Sequence, residues 1–198
     1  GKPVCDGNKA VMPTGSSVNT NVDAAGLFIV FKPAGVGSAY EYKPGYLQID
    51  GFRFQNARAP AVVTTKNGNT RAWGGLSAGM SIAGADYVAV TNNELTDNGL
   101  GLFANSTDAG NALQTIGLLV RGNYFHNNGN TASFSEHNSY TEGLGTVYEY
   151  NYFGPTLEGS YGDNIKERSA GVVFRYNFIE GGTKMISPIR LLSASVQC

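Results

Sequence analysis

The chain is short of the residues that usually announce a function. Its 198 residues include two cysteines, two histidines and one tryptophan. Cys5 and Cys198 are too few for a disulfide scaffold, and no C-x-x-C pair or Cys/His cluster at metal spacing occurs. Charged residues make up 15%, with 14 Lys and Arg against 15 Asp and Glu. So balanced a charge excludes the basic surface that broad nucleic-acid or anionic-membrane binding needs, and neither partner is expected. No apolar run approaches the about 18 residues of a membrane helix. The opening Gly1-Lys2-Pro3-Val4 lacks the regions of a signal peptide, so a leader was either removed or never there. Ser-His-Asp order, a phosphate loop and a nucleotide fingerprint are all missing. Helix-forming windows are scarce, because Gly, Pro and clustered Asn interrupt them. The best, residues 183–198, contains Pro188.

Glycine (27) and asparagine (19) are abundant instead. Short runs rich in Val, Ile, Phe and Tyr recur between them: Tyr46–Ile49, Tyr87–Val90, Gly117–Val120, Thr146–Tyr148 and Gly171–Phe174. Bounded by Gly, Asn or Asp, these read as strands. After the last four comes an Asn, then a large apolar residue two positions on. The asparagines are 93, 123, 151 and 177, at steps of 30, 28 and 26. Such a period, carrying strands and no helix, predicts an all-β, single-stranded parallel β-helix, a solenoid whose coils stack about 4.8 Å apart. Phe54, Leu95, Phe125, Phe153 and Ile179 form the expected inward column. The four asparagines are expected at sharp corners, with left-handed φ and side chains bonded along the stack. Phe52, Tyr124, Tyr152 and Phe178 are expected as a second, aromatic column. Residues 1–182 are read as the repeat domain and 183–198 as a cap or tail. That rod places Cys5 and Cys198 far apart, beyond the about 7 Å a disulfide spans, so unrelated thiols or an intermolecular bridge are the readings, with an intramolecular bridge only if a tail folds back.

On these repeats, and on the opening Pro3-Val4-Cys5-Asp6-Gly7, the chain resembles right-handed parallel β-helix proteins of the pectate-lyase-like superfamily, relatives of polysaccharide lyases and uronan epimerases. The resemblance implies a secreted or extracellular protein, periplasmic as an alternative, with a polysaccharide as partner. It does not single out one activity, because the fold hosts many.

Two segments stand one repeat apart: His137-Asn138-Ser139-Tyr140-Thr141-Glu142 and Asp163-Asn164-Ile165-Lys166-Glu167-Arg168. The offset sets Tyr140 beside Lys166 and Glu142 beside Arg168. Alternation of faces predicts Asn138, Tyr140, Glu142, Asn164, Lys166 and Arg168 outward, with Ile165 inward. His137 is turned inward by the same rule unless a corner frees it. Similar patches in the resembled enzymes imply proton abstraction at C5 of a uronic acid. Arg168 or Lys166 would stabilise the developing charge, the base would be Lys166, His137 or Tyr140, and Tyr140 would be the acid. Related proteins carry a His-Asn pair before a Tyr and a Lys-x-Arg in the next coil, which this chain matches at His137, Asn138, Tyr140, Lys166 and Arg168. Asn138, Glu142 and Asn164 are the expected substrate contacts, and Trp73, in the long loop, the expected sugar platform.

Competing readings are structural. Tyr140–Lys166 and Glu142–Arg168 also suit ordinary cross-strand pairs, His137–Asp163 a buried pair, and His126 a loop position. No resident cofactor or metal is expected; calcium at Asp86, Glu94, Asp97 and Asp108 is the lesser alternative, since no clustered Asp motif supports it. The other functional class is a non-catalytic adhesin, carbohydrate binder or fibre subunit, self-associating through open coil ends.

Overall fold

The computed structural model describes residues 1–11, 26–31, 43–65, 67–106, 114–181 and 184–188. The described residues are all-β: nineteen strands, numbered in chain order, and one 3-10 turn at Gly7–Lys9. None forms a helix long and apolar enough to cross a membrane.

Three parallel sheets hold all but two strands. The first contains β1 (Val4–Asp6), β4 (Arg53–Gln55), β9 (Glu94–Thr96), β12 (Tyr124–His126), β15 (Tyr152–Phe153) and β18 (Phe178–Ile179). The second contains β2 (Gly26–Phe31), β7 (Ala78–Ala83), β10 (Leu100–Asn105), β13 (Ser139–Thr141), β16 (Asp163–Glu167) and β19 (Lys184–Pro188). The third contains β3 (Gln48–Asp50), β8 (Ala89–Thr91), β11 (Leu119–Arg121), β14 (Val147–Glu149) and β17 (Val173–Arg175). The chain visits the sheets in rotation, and neighbours within a sheet come from successive visits. An antiparallel hairpin, β5 (Val62–Thr64) and β6 (Thr70–Ala72), interrupts the rotation once.

The expected inward column is in register: Phe54 with Leu95, Leu95 with Phe125, Phe125 with Phe153, and Phe153 with Ile179. Phe125 and Phe153 stack at 4.7 Å, 5° from parallel. Ile49, Val90, Val120, Tyr148 and Phe174 form the matching column of the third sheet. Parallel pairing without slip puts like upon like, so each repeat completes the core of its neighbour.

The asparagines bond as a ladder, but not at the left-handed position. Positive φ falls on the residue before each: Asn92 (53°), Gly122 (66°), Tyr150 (56°) and Tyr176 (57°). That bend turns the following Asn inward. Asn123 Oδ1 accepts from the Asn93 backbone N–H at 2.9 Å, and Asn123 Nδ2 donates to Val90 O at 2.8 Å. Phe52 takes the equivalent place below Asn93 and is not part of the aromatic column. The column itself runs Tyr124–Tyr152–Phe178, with ring spacings of 4.9 and 5.3 Å.

The best helix candidate, residues 183–198, is a strand where it is described. Lys184–Pro188 is a strand paired with β16, at the edge of the second sheet, where a Pro disturbs no further ladder. The rest of that segment, Cys198 included, lies outside the described residues. Cys5 is half-buried in β1, and burial raises its thiol pKa.

Candidate functional site

Strands β13 and β16 pair with Ser139 beside Ile165, Tyr140 beside Lys166 and Thr141 beside Glu167. Ser139, Thr141, Ile165 and Glu167 point into the core, so Tyr140 and Lys166 share the outer face. Tyr140 OH donates to Glu142 Oε1 at 2.7 Å, and Arg168 Nη1 donates to the same oxygen at 3.1 Å. The Arg168 guanidinium lies over the Tyr140 ring, 5.3 Å from its centre, and Phe103 meets that ring edge-on at 5.4 Å. Burial, then the Glu142 carboxylate, push the Tyr140 phenol up to about 12. Its proton therefore stays in place at neutral pH.

Four other expected site residues are placed elsewhere. Asn138 and Asn164 do not face outward; they are fully buried. They end a second ladder formed with Asn98 and Asn128. Asn98 Nδ2 donates to Asn128 Oδ1 at 3.1 Å, Asn128 Nδ2 to Asn138 Oδ1 at 2.8 Å, and Asn138 Nδ2 to Asn164 Oδ1 at 2.6 Å. Strict alternation fails because the chain is still bending at Asn138, before β13 begins. His137 is buried too. Its Nδ1 accepts the Asp163 backbone N–H at 2.8 Å, which leaves the ring proton on Nε2, and its ring meets Tyr140 edge-on at 5.7 Å. Trp73 is only 5% exposed, packed with Ala57 and Val63, and its Nε1 donates to Gly7 O at 3.1 Å. An indole so enclosed offers no platform.

The residues weighed for calcium hold cations of the protein itself or hydrogen-bond donors. Asp86 pairs with Lys43 at 2.5 Å, Glu94 with His126 at 3.1 Å, and Asp97 with Arg58 at 3.1 Å. Asp108 lies outside the described residues. His126 is a β12 residue rather than a loop one, its ring stacked on Tyr124 at 4.1 Å.

Two features went unread in the sequence. The second ladder carried a signal: Asn98 follows Asn93 as Asn128 follows Asn123. Below the outer patch, the core turns polar. Tyr148 OH hydrogen-bonds Ser139 Oγ (2.8 Å) and Thr141 Oγ1 (2.9 Å), and Thr141 Oγ1 donates to Glu167 Oε2 at 2.5 Å. Burial raises the Glu167 carboxyl pKa, partly opposed by hydrogen bonds from Ser169 and Thr141.

Comparison of the chain with known family models, with curated proteins and with solved structures found no match.

Proposed function

We propose that the chain winds as a right-handed parallel β-helix of the pectate-lyase-like kind, acts outside the cytoplasm, and processes an acidic polysaccharide on the outer face of β13 and β16. The rotation through three parallel sheets supports the winding, and parallel crossovers are right-handed in about 98% of cases. The observation that carries the function is the convergence of a protonated phenol and a guanidinium on Glu142 Oε1, with Lys166 beside Tyr140 on the neighbouring strand.

A uronic acid residue gives up its C5 proton only if its carboxylate charge is neutralised as negative charge builds. Arg168, half-exposed, meets that carboxylate. The buried His137 and the firmly protonated Tyr140 are unsuited to be the base, which leaves Lys166. Lys166 takes the C5 proton. In elimination the C4–O4 bond breaks, its electron pair leaves with O4, and the carbanion pair becomes the C4=C5 double bond. Tyr140 gives O4 its proton. In epimerisation a proton returns to C5 from the opposite face.

Deuterium incorporation at C5 from D2O reports epimerisation, and the absorbance of the C4=C5 double bond reports elimination. With polygalacturonate or alginate, wild-type protein should incorporate deuterium or generate the absorbance of an unsaturated uronide. Lys166→Ala and Tyr140→Phe should lose about 100-fold or more. Absence of both C5 exchange and an unsaturated product with every uronan ends this reading in favour of a non-catalytic binder, and full activity in Lys166→Ala overturns Lys166 as the base.

A further inference from the structure

With Trp73 buried, the sugar platform must be sought elsewhere, and an exposed aromatic pair stands just upstream of the patch. Phe134 is 69% exposed and Tyr161 43%. Their ring centres are 4.8 Å apart, tilted 32°. Each lies in the segment leading into one of the patch strands, Phe134 before β13 and Tyr161 before β16. Tyr161 is five residues from Lys166, so their Cα atoms lie within about 18 Å even on a fully extended chain.

Exposed rings on a fraying loop would mean little. These segments are bound to each other. Asn127 N–H donates to Pro155 O (2.7 Å), Leu157 N–H to Asn128 O (2.9 Å), Ala132 N–H to Gly159 O (2.8 Å) and Tyr161 N–H to Ser133 O (2.9 Å). Two residues before Phe134, Ala132 is held at φ 59°, a left-handed conformation that costs a non-glycine residue about 1 kcal/mol or more and persists only where the surroundings enforce it. Tyr161 backs one face of Phe134, and a ring that keeps over two thirds of its surface in solvent has the other face free. The aromatic column of the first sheet differs: Tyr124 and Tyr152 lie 8° from parallel and cover each other's faces.

We infer that Phe134, backed by Tyr161, is a stacking subsite for a sugar unit of the same acidic polysaccharide, upstream of the one at Tyr140 and Lys166. The inference rests on the reading of that patch as a uronan site. A pyranose presents an apolar C–H face to an aromatic ring, while its carboxylate and hydroxyls keep to water and to the cationic patch. A rigid ring costs little entropy to engage, so the subsite adds affinity without chemistry. It favours long chains over short ones.

Affinity electrophoresis separates the possibilities, in gels containing polygalacturonate, alginate or a neutral β-glucan. Wild-type protein should be retarded by one of the acidic polymers. Phe134→Ala/Tyr161→Ala should bind that polymer about 10-fold more weakly, with an unchanged melting temperature, and Phe134→Trp should retain binding. Because stacking is not screened, this loss should persist at high salt, whereas the loss from Lys166→Ala/Arg168→Ala should shrink. Wild-type retardation that the aromatic double variant leaves intact overturns the subsite and spares the patch. Aromatic-dependent retardation equal in the neutral glucan keeps the subsite and overturns the acidic-polymer reading. No retardation of wild type by any polymer overturns both.

Discussion

Asn123 shows what one side chain does here. It accepts from Asn93, donates to Val90 O, and donates again to Asn151 Oδ1 at 3.1 Å, all out of reach of water. Asn123→Ala strands a buried N–H and a buried carbonyl, each costing about 1–3 kcal/mol. A total loss of about 2–6 kcal/mol is expected, read as a lower urea midpoint. An unchanged midpoint would mean that the ladder carries no net stability. The position of this ladder was legible because its period is nearly even. Asn138 was misread as a surface group because the two-residue alternation of a strand was carried one residue too far, into a bend, and Asn164, though inside β16, is drawn inward as the end of the Asn98–Asn128–Asn138 ladder. His137 is buried, but so are Asn138 and Ser139 after it, so alternation is not what places it. Trp73 was read as exposed because nothing local reveals that Gly7, 66 residues away, lies within reach of its indole N–H.

At the scale of elements, β13, β14 and β16 enclose a polar stretch of the core. Glu167 is 2% exposed and faces Thr141, Ser169 and the Tyr148 phenol. Its folded pKa is raised above the ordinary 4.5, so the folded state holds the proton more tightly than the unfolded chain. The stability contribution of this group is fully present below the unfolded value and is lost as pH rises through the folded one. Glu167→Gln, which keeps shape and hydrogen-bonding reach, should remove that slope. Urea midpoints of the variant should exceed wild type at neutral pH and converge with it in mild acid; parallel curves for the two proteins would refute the account. Lys166 and Arg168 flank Glu167 in sequence yet point the opposite way, so the strand that carries the candidate chemistry also carries this buried acid.

Across the whole molecule, stability should depend on position along the stack. In repeat architectures each unit contacts only its neighbours, so a flaw in the middle weakens two interfaces and a flaw at an end weakens one. Phe125 is fully buried between Leu95 and Phe153, whereas Ile179 is half-buried on the last strand of the first sheet. Phe125→Ala should cost about 3–5 kcal/mol, and Ile179→Ala less than half as much. Equal losses in chemical denaturation would argue against stacked, nearest-neighbour stabilisation.

The sequence alone determined the all-β class, the parallel stacking, the inward Phe54–Ile179 column and the pairing of Tyr140 with Lys166. Each follows from a repeat in which equivalent residues must meet, and a period can be counted without knowing distances. Tertiary structure alone decided which polar groups are free. Whether Asn138 or Trp73 meets solvent depends on bends and on contacts between residues distant in sequence. The rings left in the open at Phe134 and Tyr161 sit in an insertion that breaks the period, where counting gives no answer.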